Sequence, residues 1–300
     1  MKIAVIGAGA IGLLFSAKLV SAGHEIFLVA REKHQSGEIN LKGIHVHSDQ
    51  VEITSSTVVS GVCLPHEFKA DCVIVTVKQY HLESLKKMLA SIPGDIPLIF
   101  AQNGMGHIEF MSGLANTQLF VSTIEHGVKK ESPTEVRHNG IGAWKIAAFR
   151  GNMDCINFLQ SSDPSFPVSF WTDYQSLLLE KLIKNILINS LTSLFEVKNG
   201  ELLTNPFLNK NLQHLYSETM LLFPQMKHML TLKDVESLCD ETSKNTSSMS
   251  ADLQSNRKTE VDAIIGFALK TAKEKQITVP LLQFVYDGIC AIEYGKGIRG

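Results

Sequence analysis

The opening run "KIAVIGAGAIGLLFSAKLVSAGHEIFLVAR" constrains the fold more than any other part of the chain. Lys2 to Ile6 is a short apolar run suited to a strand covered on both faces. Gly7, Gly9 and Gly12 follow at G-x-G-x-x-G spacing, where the strand passes into a helix. The first glycine permits a tight turn, the second lets a pyrophosphate approach the backbone, and the third lets helix and strand pack closely. Gly23 ends the helix and "EIFLVAR" forms the next strand. The spacing alone is a weak signal, but here it follows a strand and opens a helix within a unit of about thirty residues. It predicts a dinucleotide on the loop Gly7, Ala8, Gly9, Ala10, Ile11 and Gly12, with its pyrophosphate at the helix N-terminus.

The end of the second strand bears on which dinucleotide. An NAD site commonly carries an acid there for the ribose 2′-hydroxyl. Here Ala30 is followed by Arg31, a cation that can pair with a 2′-phosphate, so NADP is favoured over NAD, with Glu32 next door as the contrary sign. "CVIVTVK" runs into Lys78 and "PLIFAQNG" into Asn103-Gly104. Ligands of open parallel sheets bind beyond the carboxyl ends of strands, so Lys78 and Asn103 are candidates for cofactor contact.

Residues 38–60 read as short strands, with His45 and His47 on one face. Two histidines without a third ligand fit a solvated strand face better than a metal site. "TEVRHNGIGAWKIAAF" reads as a hairpin turning at His138-Asn139-Gly140, and "SSDPSFPVSF" as the connector to the second half. The expected architecture is α/β: a Rossmann-type dinucleotide-binding domain over residues 1–168 and an all-helical domain over 169–300.

Composition enters mainly by exclusion. A formal charge of −2 over 300 residues provides no broad basic field, which argues against nucleic acid as a partner. No apolar run is long enough to span a membrane. Five scattered cysteines with no C-x-x-C read as reduced thiols in a cytoplasmic protein. The apolar segment "PLLQFVYDGICAIEY" can pack on its own domain or on a second copy of the chain, as in a homodimer.

The second half poses a contradiction. In "LEKLIKNILINSLTSLFEVKNGEL", Leu178, Leu182, Ile183, Ile186, Leu187, Ile188 and Leu191 surround most of a helix, yet Lys181, Asn185 and Asn189 recur every four residues. A step of four drifts only about 40° in an α-helix, so the three polar groups share a stripe. Buried amides and ammonium groups need partners, so the stripe is either a site or a structural hydrogen-bond network. Downstream, 257–275 reads as an amphipathic helix with Glu260 in its first turn, and Ser247-Ser248 as loop.

With these residues in view, the chain resembles the ketopantoate reductase (2-dehydropantoate 2-reductase) family along essentially its whole length. The shared blocks are "GAGAIG", "VTVKQY", "AQNGMG", "KLIKNILINSLT", "NGEL" and "SSMSADLQSNRKTEVDAIIG", the last three being the most specific. The resemblance implies NADPH-dependent reduction of a 2-keto acid, in pantothenate and coenzyme A biosynthesis, in a cleft between the domains. It makes Lys181 the proton donor and Glu260 a catalytic residue that accepts the substrate's C4 hydroxyl. It assigns Asn103, Asn185, Asn189, Asn199 and Ser248 to substrate, and Arg31, Lys78, Asn103 and Glu260 to the cofactor side. Two departures stand out: Ser190, where relatives often carry proline, and Asn256, where glycine is common. Two alternatives remain beside this reading: a related reductase of different substrate, and a non-catalytic NADPH-binding redox sensor.

Overall fold

The computed structural model describes residues 1–48, 53–55, 57–161 and 163–300. Residues 49–52 and 56 of the expected strand region, and Ser162 of the expected connector, lie outside that description. The chain forms two compact units: Met1–Gln102 with His107–Leu177, and Asn103–Gly106 with Leu178–Gly300.

The first unit contains, in chain order, β1 (Lys2–Ile6), β2 (Glu25–Val29), β3 (Ile44–His47), β4 (Ile53–Ser55), β5 (Val59–Gly61), β6 (Cys72–Val75), β7 (Leu98–Phe100), β8 (Leu119–Ile124), β9 (Gly127–Lys130), β10 (Glu135–Gly140), β11 (Trp144–Arg150) and β12 (Val168–Trp171). The main sheet runs β12-β11-β8-β7-β6-β1-β2-β5, and from β8 to β5 all neighbours are parallel. Chain order reverses at β1, with β2 on one side and β6 on the other, the switch point at which such sheets bind ligands. A smaller sheet runs β4-β3-β10-β9.

The helix Ala10–Ser21 touches strands of both sheets. That placement explains why "GLLFSAKL" is buried without interruption and shows no amphipathic period. Lys18, buried in that run, is answered by Ser165 Oγ at 2.5 Å and Asp163 Oδ2 at 3.4 Å. Phe15, Trp144 and Phe166 pack beside it, with centroids 4.6 Å apart for Phe15–Trp144 and 5.1 Å for Phe15–Phe166.

Several expectations need correction. Residues 38–42 belong to the helix Lys33–Lys42, not to a strand. His45 and His47 do alternate along β3, but both ring nitrogens of His45 are engaged, by Thr54 Oγ1 at 3.2 Å and the Lys42 carbonyl at 3.1 Å. The hairpin at 138–140 does not form. Those residues are the end of β10, which pairs with β9 and β3, whereas β11 pairs with β8 and β12 in the other sheet. Two alternating runs around Asn-Gly look alike whether they pair with each other or with distant strands. The expected connector ends inside β12, so the first unit continues past 168 as far as Leu177, inside the helix Tyr174–Lys184.

The described residues of the second unit form helices and no strands. Their core includes Leu182, Ile183, Ile186, Leu187, Leu212, Leu215, Met226, Val235, Ile265 and Ile289. The apolar segment near the end becomes the helix Pro280–Gly295, which buries Leu282, Val285 and Ile289 and leaves Phe284 and Tyr294 exposed. Among the described residues no helix is long and apolar enough to cross a membrane.

One buried histidine predicts an acid sensitivity. His107 is fully buried at the start of the helix His107–Ser112, and neither ring nitrogen has a hydrogen-bond partner. Burial pushes its pKa down from the ordinary 6.5 to about 4. Between these values the unfolded chain binds the proton and the folded chain does not. The stability due to neutral His107 is therefore complete above about pH 6.5 and is lost as pH falls toward 4. His107→Leu removes the titrating group, so the drop in Tm from pH 7 to pH 5 should shrink. Calorimetry at both pH values checks this, and an undiminished drop would show that other groups dominate.

Candidate active site

The glycine loop is built as its spacing predicts, and each glycine has a separate reason. Gly7 takes φ +116°, and a Cβ there would lie 2.9 Å from Val77 Cγ1. At Gly12 a Cβ would lie 1.7 Å from the Gly7 carbonyl oxygen, so no side chain fits while helix and loop keep this approach. A Cβ at Gly9 would meet nothing within 4 Å, and no side chain caps the helix Ala10–Ser21 behind it. Bare backbone at the positive end of a helix dipole suits a pyrophosphate, so the loop fits a dinucleotide.

Three side chains not singled out from sequence hold this loop. Thr76 Oγ1 donates to the Gly7 carbonyl at 2.9 Å, while Gln35 Nε2 and Lys130 Nζ donate to the Ala8 carbonyl at 2.8 and 3.0 Å. Their separation from the loop along the chain leaves no local sequence signal. Arg31 follows β2 and Lys78 follows β6, strands that flank β1. His81 lies within reach of both charges: burial first, then Arg31 and Lys78, lowers its pKa. Two cationic side chains, Arg31 and Lys78, thus share the region beyond these strands, a field suited to phosphate. Glu32, the contrary sign in the sequence, lies close enough to Lys130 to oppose the lowering of that lysine's pKa by burial.

In the second unit Asn185 and Asn189 come together, but the helix that carries them is not uniform. After Tyr174–Lys184 the backbone becomes π-helical over Asn185–Asn189 and returns to α over Ser190–Leu194. A π-turn displaces carbonyls from the α-helical register. Ser190 Oγ donates to the Ile186 carbonyl, and Thr192 Oγ1 to the Ile188 carbonyl at 2.7 Å. Ser190 thus contributes a donor that proline could not. Asn189 Nδ2 lies 3.4 Å from Asn185 Oδ1 and 3.3 Å from Ser248 Oγ. Both bonds are long for N–H···O, so a ligand could replace them at little cost. Lys181 is half-buried one turn earlier on the same helix.

The second cluster also departs from its sequence reading. Ser248 is not loop but opens the helix Ser248–Gln254, and Ser247, still extended, caps it by accepting from Ser250 N at 3.3 Å, its hydroxyl lying 2.8 Å from Thr192 Oγ1. Asn256 takes φ +50°, the left-handed region where glycine or asparagine is favoured, and Arg257 N closes onto the Asp252 carbonyl at 2.8 Å. The next helix begins after Glu260, not at 257, because the Glu260 carbonyl accepts its first bond, from Ile264 N at 3.0 Å. Asp262–Gly266 is a second π-turn, which packs on the first, and the first also touches Ser248–Gln254.

Asn103 lies in this unit although its sequence follows β7. Its Nδ2 donates to Glu260 Oε2 at 2.8 Å. Gly104, at φ +77°, allows the approach: a Cβ there would lie 2.1 Å from the Ala263 carbonyl oxygen. Asn103–Glu260 and Asn189–Ser248 are therefore carried by contacting elements of one unit, at a pair of π-turns of the kind frequent at functional sites. Asn199 is placed differently. Its Nδ2 donates to Thr242 Oγ1 at 2.9 Å and its backbone N to the Asn245 carbonyl at 3.3 Å, and neither bond connects it to Asn189, Ser248 or Glu260.

Comparison with known proteins covers both halves of the chain. Residues 3–151 match the family described as ketopantoate reductase PanE/ApbA, and residues 173–293 match its C-terminal part. A 2-dehydropantoate 2-reductase of Bacillus subtilis (strain 168) is 36% identical over 296 residues, covering 98% of each chain. The Listeria innocua protein of that name is 33% identical over 298 residues, 98% of this chain and 97% of the other. The crystal structure of the probable 2-dehydropantoate 2-reductase panE from Bacillus subtilis superposes with a TM-score of 0.87 at 35% identity, over 98% of this chain and all of that one (100%). D-Mandelate dehydrogenase, in ternary complex with NADH and anilino(oxo)acetate, shares the fold alone, with TM-score 0.89 at 20% identity over 100% of both chains. With both halves matched and relatives aligned from end to end, this chain belongs to the ketopantoate reductase family.

Proposed function

We propose that this protein reduces 2-dehydropantoate to pantoate with NADPH, the first unit holding the nucleotide and the second supplying the substrate-binding and catalytic groups. The observation that carries the site is the gathering of Asn103, Glu260, Asn189 and Ser248 on contacting elements of one helical unit. The glycine loop Gly7–Gly12 would hold the pyrophosphate, and Arg31 with Lys78 the 2′-phosphate; Asn103 and Glu260 are assigned to the nicotinamide side. Bound NADPH supplies the hydride that adds to the C2 carbonyl.

Reduction leaves negative charge on the carbonyl oxygen, and the Lys181 ammonium donates a proton there. A positioned general acid contributes ~10² to 10⁴ in rate. Asn185 and Asn189 orient the substrate's polar groups, and Ser248 donates to its carboxylate. The second carboxylate oxygen of Glu260 accepts the C4 hydroxyl while Asn103 holds the first. Asn199 belongs to the same proposal as a substrate-side amide, its Nδ2 bonded at present to Thr242 Oγ1 at 2.9 Å. The five free cysteines fit a reducing, cytoplasmic setting.

That D-mandelate dehydrogenase shares the fold gives force to a second reading, a reductase of a different 2-keto acid. NADPH oxidation with 2-dehydropantoate, pyruvate and 2-ketoisovalerate separates the two. The expected result is a clear preference for 2-dehydropantoate, and equal rates would reject the substrate. In the same assay Arg31→Ala should raise the KM for NADPH and leave that for NADH nearly unchanged. Equal losses with both nucleotides would exclude recognition of the 2′-phosphate. NADPH binding without turnover of any keto acid would favour the redox sensor.

A further inference from the structure

Glu260 occupies a four-residue stretch pinned from both ends by a group that neither the sequence motifs nor the proposed mechanism uses. On one side Glu293, which is fully buried, accepts from Thr259 N and Thr259 Oγ1 through Oε1, both at 2.7 Å. Thr259 Oγ1 also receives Val261 N at 3.2 Å. On the other side Asp262 opens the second π-turn and accepts Tyr286 OH at 2.8 Å. One guanidinium joins the two anchors. Arg299 Nε donates to Glu293 Oε2 at 2.7 Å, and Arg299 Nη2 to both oxygens of Asp262 at 2.9 Å. Arg299 is itself held by its backbone N on the Glu293 carbonyl at 3.3 Å.

A network of this kind is an expensive way to gain stability, since a buried carboxylate must recover its lost hydration from its partners. The arrangement does something more specific. It fixes residues 259 and 262 to one rigid group, so the backbone of residue 260 between them is held, and with it the origin of the Glu260 side chain. A proposed hydroxyl acceptor needs that precision, because displacement by about 1 Å can cost on the order of 10² in rate.

We propose that Arg299, acting with Glu293 and Asp262, is a positioning residue for Glu260 and so sets the preference for a 2-keto acid bearing a C4 hydroxyl. The inference rests on the reading of Glu260 given above and goes beyond it by naming what makes that carboxylate selective. Arg299 acts through the flanks of Glu260.

The test compares 2-dehydropantoate with 3,3-dimethyl-2-oxobutanoate, which lacks only the hydroxyl, using NADPH and the full chain. Glu260→Ala tests the underlying reading: it should abolish the preference, and an intact preference would overturn the role of Glu260. Arg299→Met tests the inference. It should reduce the preference by about tenfold or more, through a raised KM for 2-dehydropantoate, with activity on the dimethyl analogue much less affected. Arg299→Lys, which keeps the charge but loses the fork, should recover part of the preference. In a Glu260→Ala background Arg299→Met should cause no further change in preference. Equal losses on both substrates, or an unchanged preference, would reduce Arg299 to a structural role. Should Arg299→Met not fold, Asp262→Asn decides: it leaves the Glu293–Arg299 pair in place and should still lower the preference, and an unchanged preference would overturn the proposal.

Discussion

Lys181→Ala is expected to lower kcat with 2-dehydropantoate by ~10² to 10⁴ while changing the affinity for NADPH by less than about twofold. The lysine is half-buried on the helix Tyr174–Lys184, one turn before Asn185, while the glycine loop lies in the other unit. Its loss should therefore affect the chemistry and not the grip on the nucleotide. Arg at this position separates two roles that alanine confuses. A guanidinium can hydrogen-bond to developing negative charge, but its proton is not available near neutral pH. If Lys181 donates a proton, Lys181→Arg should remain almost as slow as the alanine variant. If Lys181 only stabilises charge, Lys181→Arg should regain much of kcat. Near-normal kcat in Lys181→Ala would reject both roles. Single-turnover NADPH oxidation, with nucleotide affinity measured separately by fluorescence, provides the readout.

Gly104→Ala should be nearly as damaging, for a steric reason. The residue has φ +77°, where an L side chain costs roughly 1 kcal/mol or more. The contact is worse than the dihedral: the new Cβ would lie 2.1 Å from the Ala263 carbonyl oxygen and 2.7 Å from its carbon. Backbone cannot yield as a flexible side chain can, so the segment 103–106 must retreat from the second π-turn. Asn103 Nδ2 then loses its 2.8 Å bond to Glu260 Oε2. Loss of that alignment should reduce kcat/KM by about 10² or more. Gly113→Ala is the control, since its Cβ would meet only the Phe110 carbonyl oxygen at 3.5 Å, an ordinary contact. Normal kcat/KM in Gly104→Ala would mean that the close approach is not needed for the reaction.

Errors in the sequence reading have a common physical origin. The 38–42 helix carries few apolar residues, so its period is faint beside the strands that follow it. The supposed hairpin at 138–140 had the right residue types, but partner choice belongs to the sheets. The helix expected from 257 begins only after Glu260, because a left-handed turn at Asn256 and the bonds on Thr259 claim the residues before it. Both π-turns were invisible, since hydrophobic spacing cannot distinguish four residues from five in a single buried turn.

What the residues determined unaided was local: the strand–glycine loop–helix at the start, Arg31 after the second strand, and Asn185 and Asn189 paired on a helix with buried apolar neighbours. These are short-range properties, set by backbone freedom, side-chain size and helical period, and they can be read in one window of chain. Only the tertiary structure decided that Asn103 meets Glu260 across 157 positions, that Gln35 and Lys130 hold the Ala8 carbonyl, and that Arg299 clamps the flanks of Glu260. Those pairings depend on where remote segments come to rest. Packing and the hydrogen-bonding needs of buried polar groups decide that together, and neither is encoded within a local stretch.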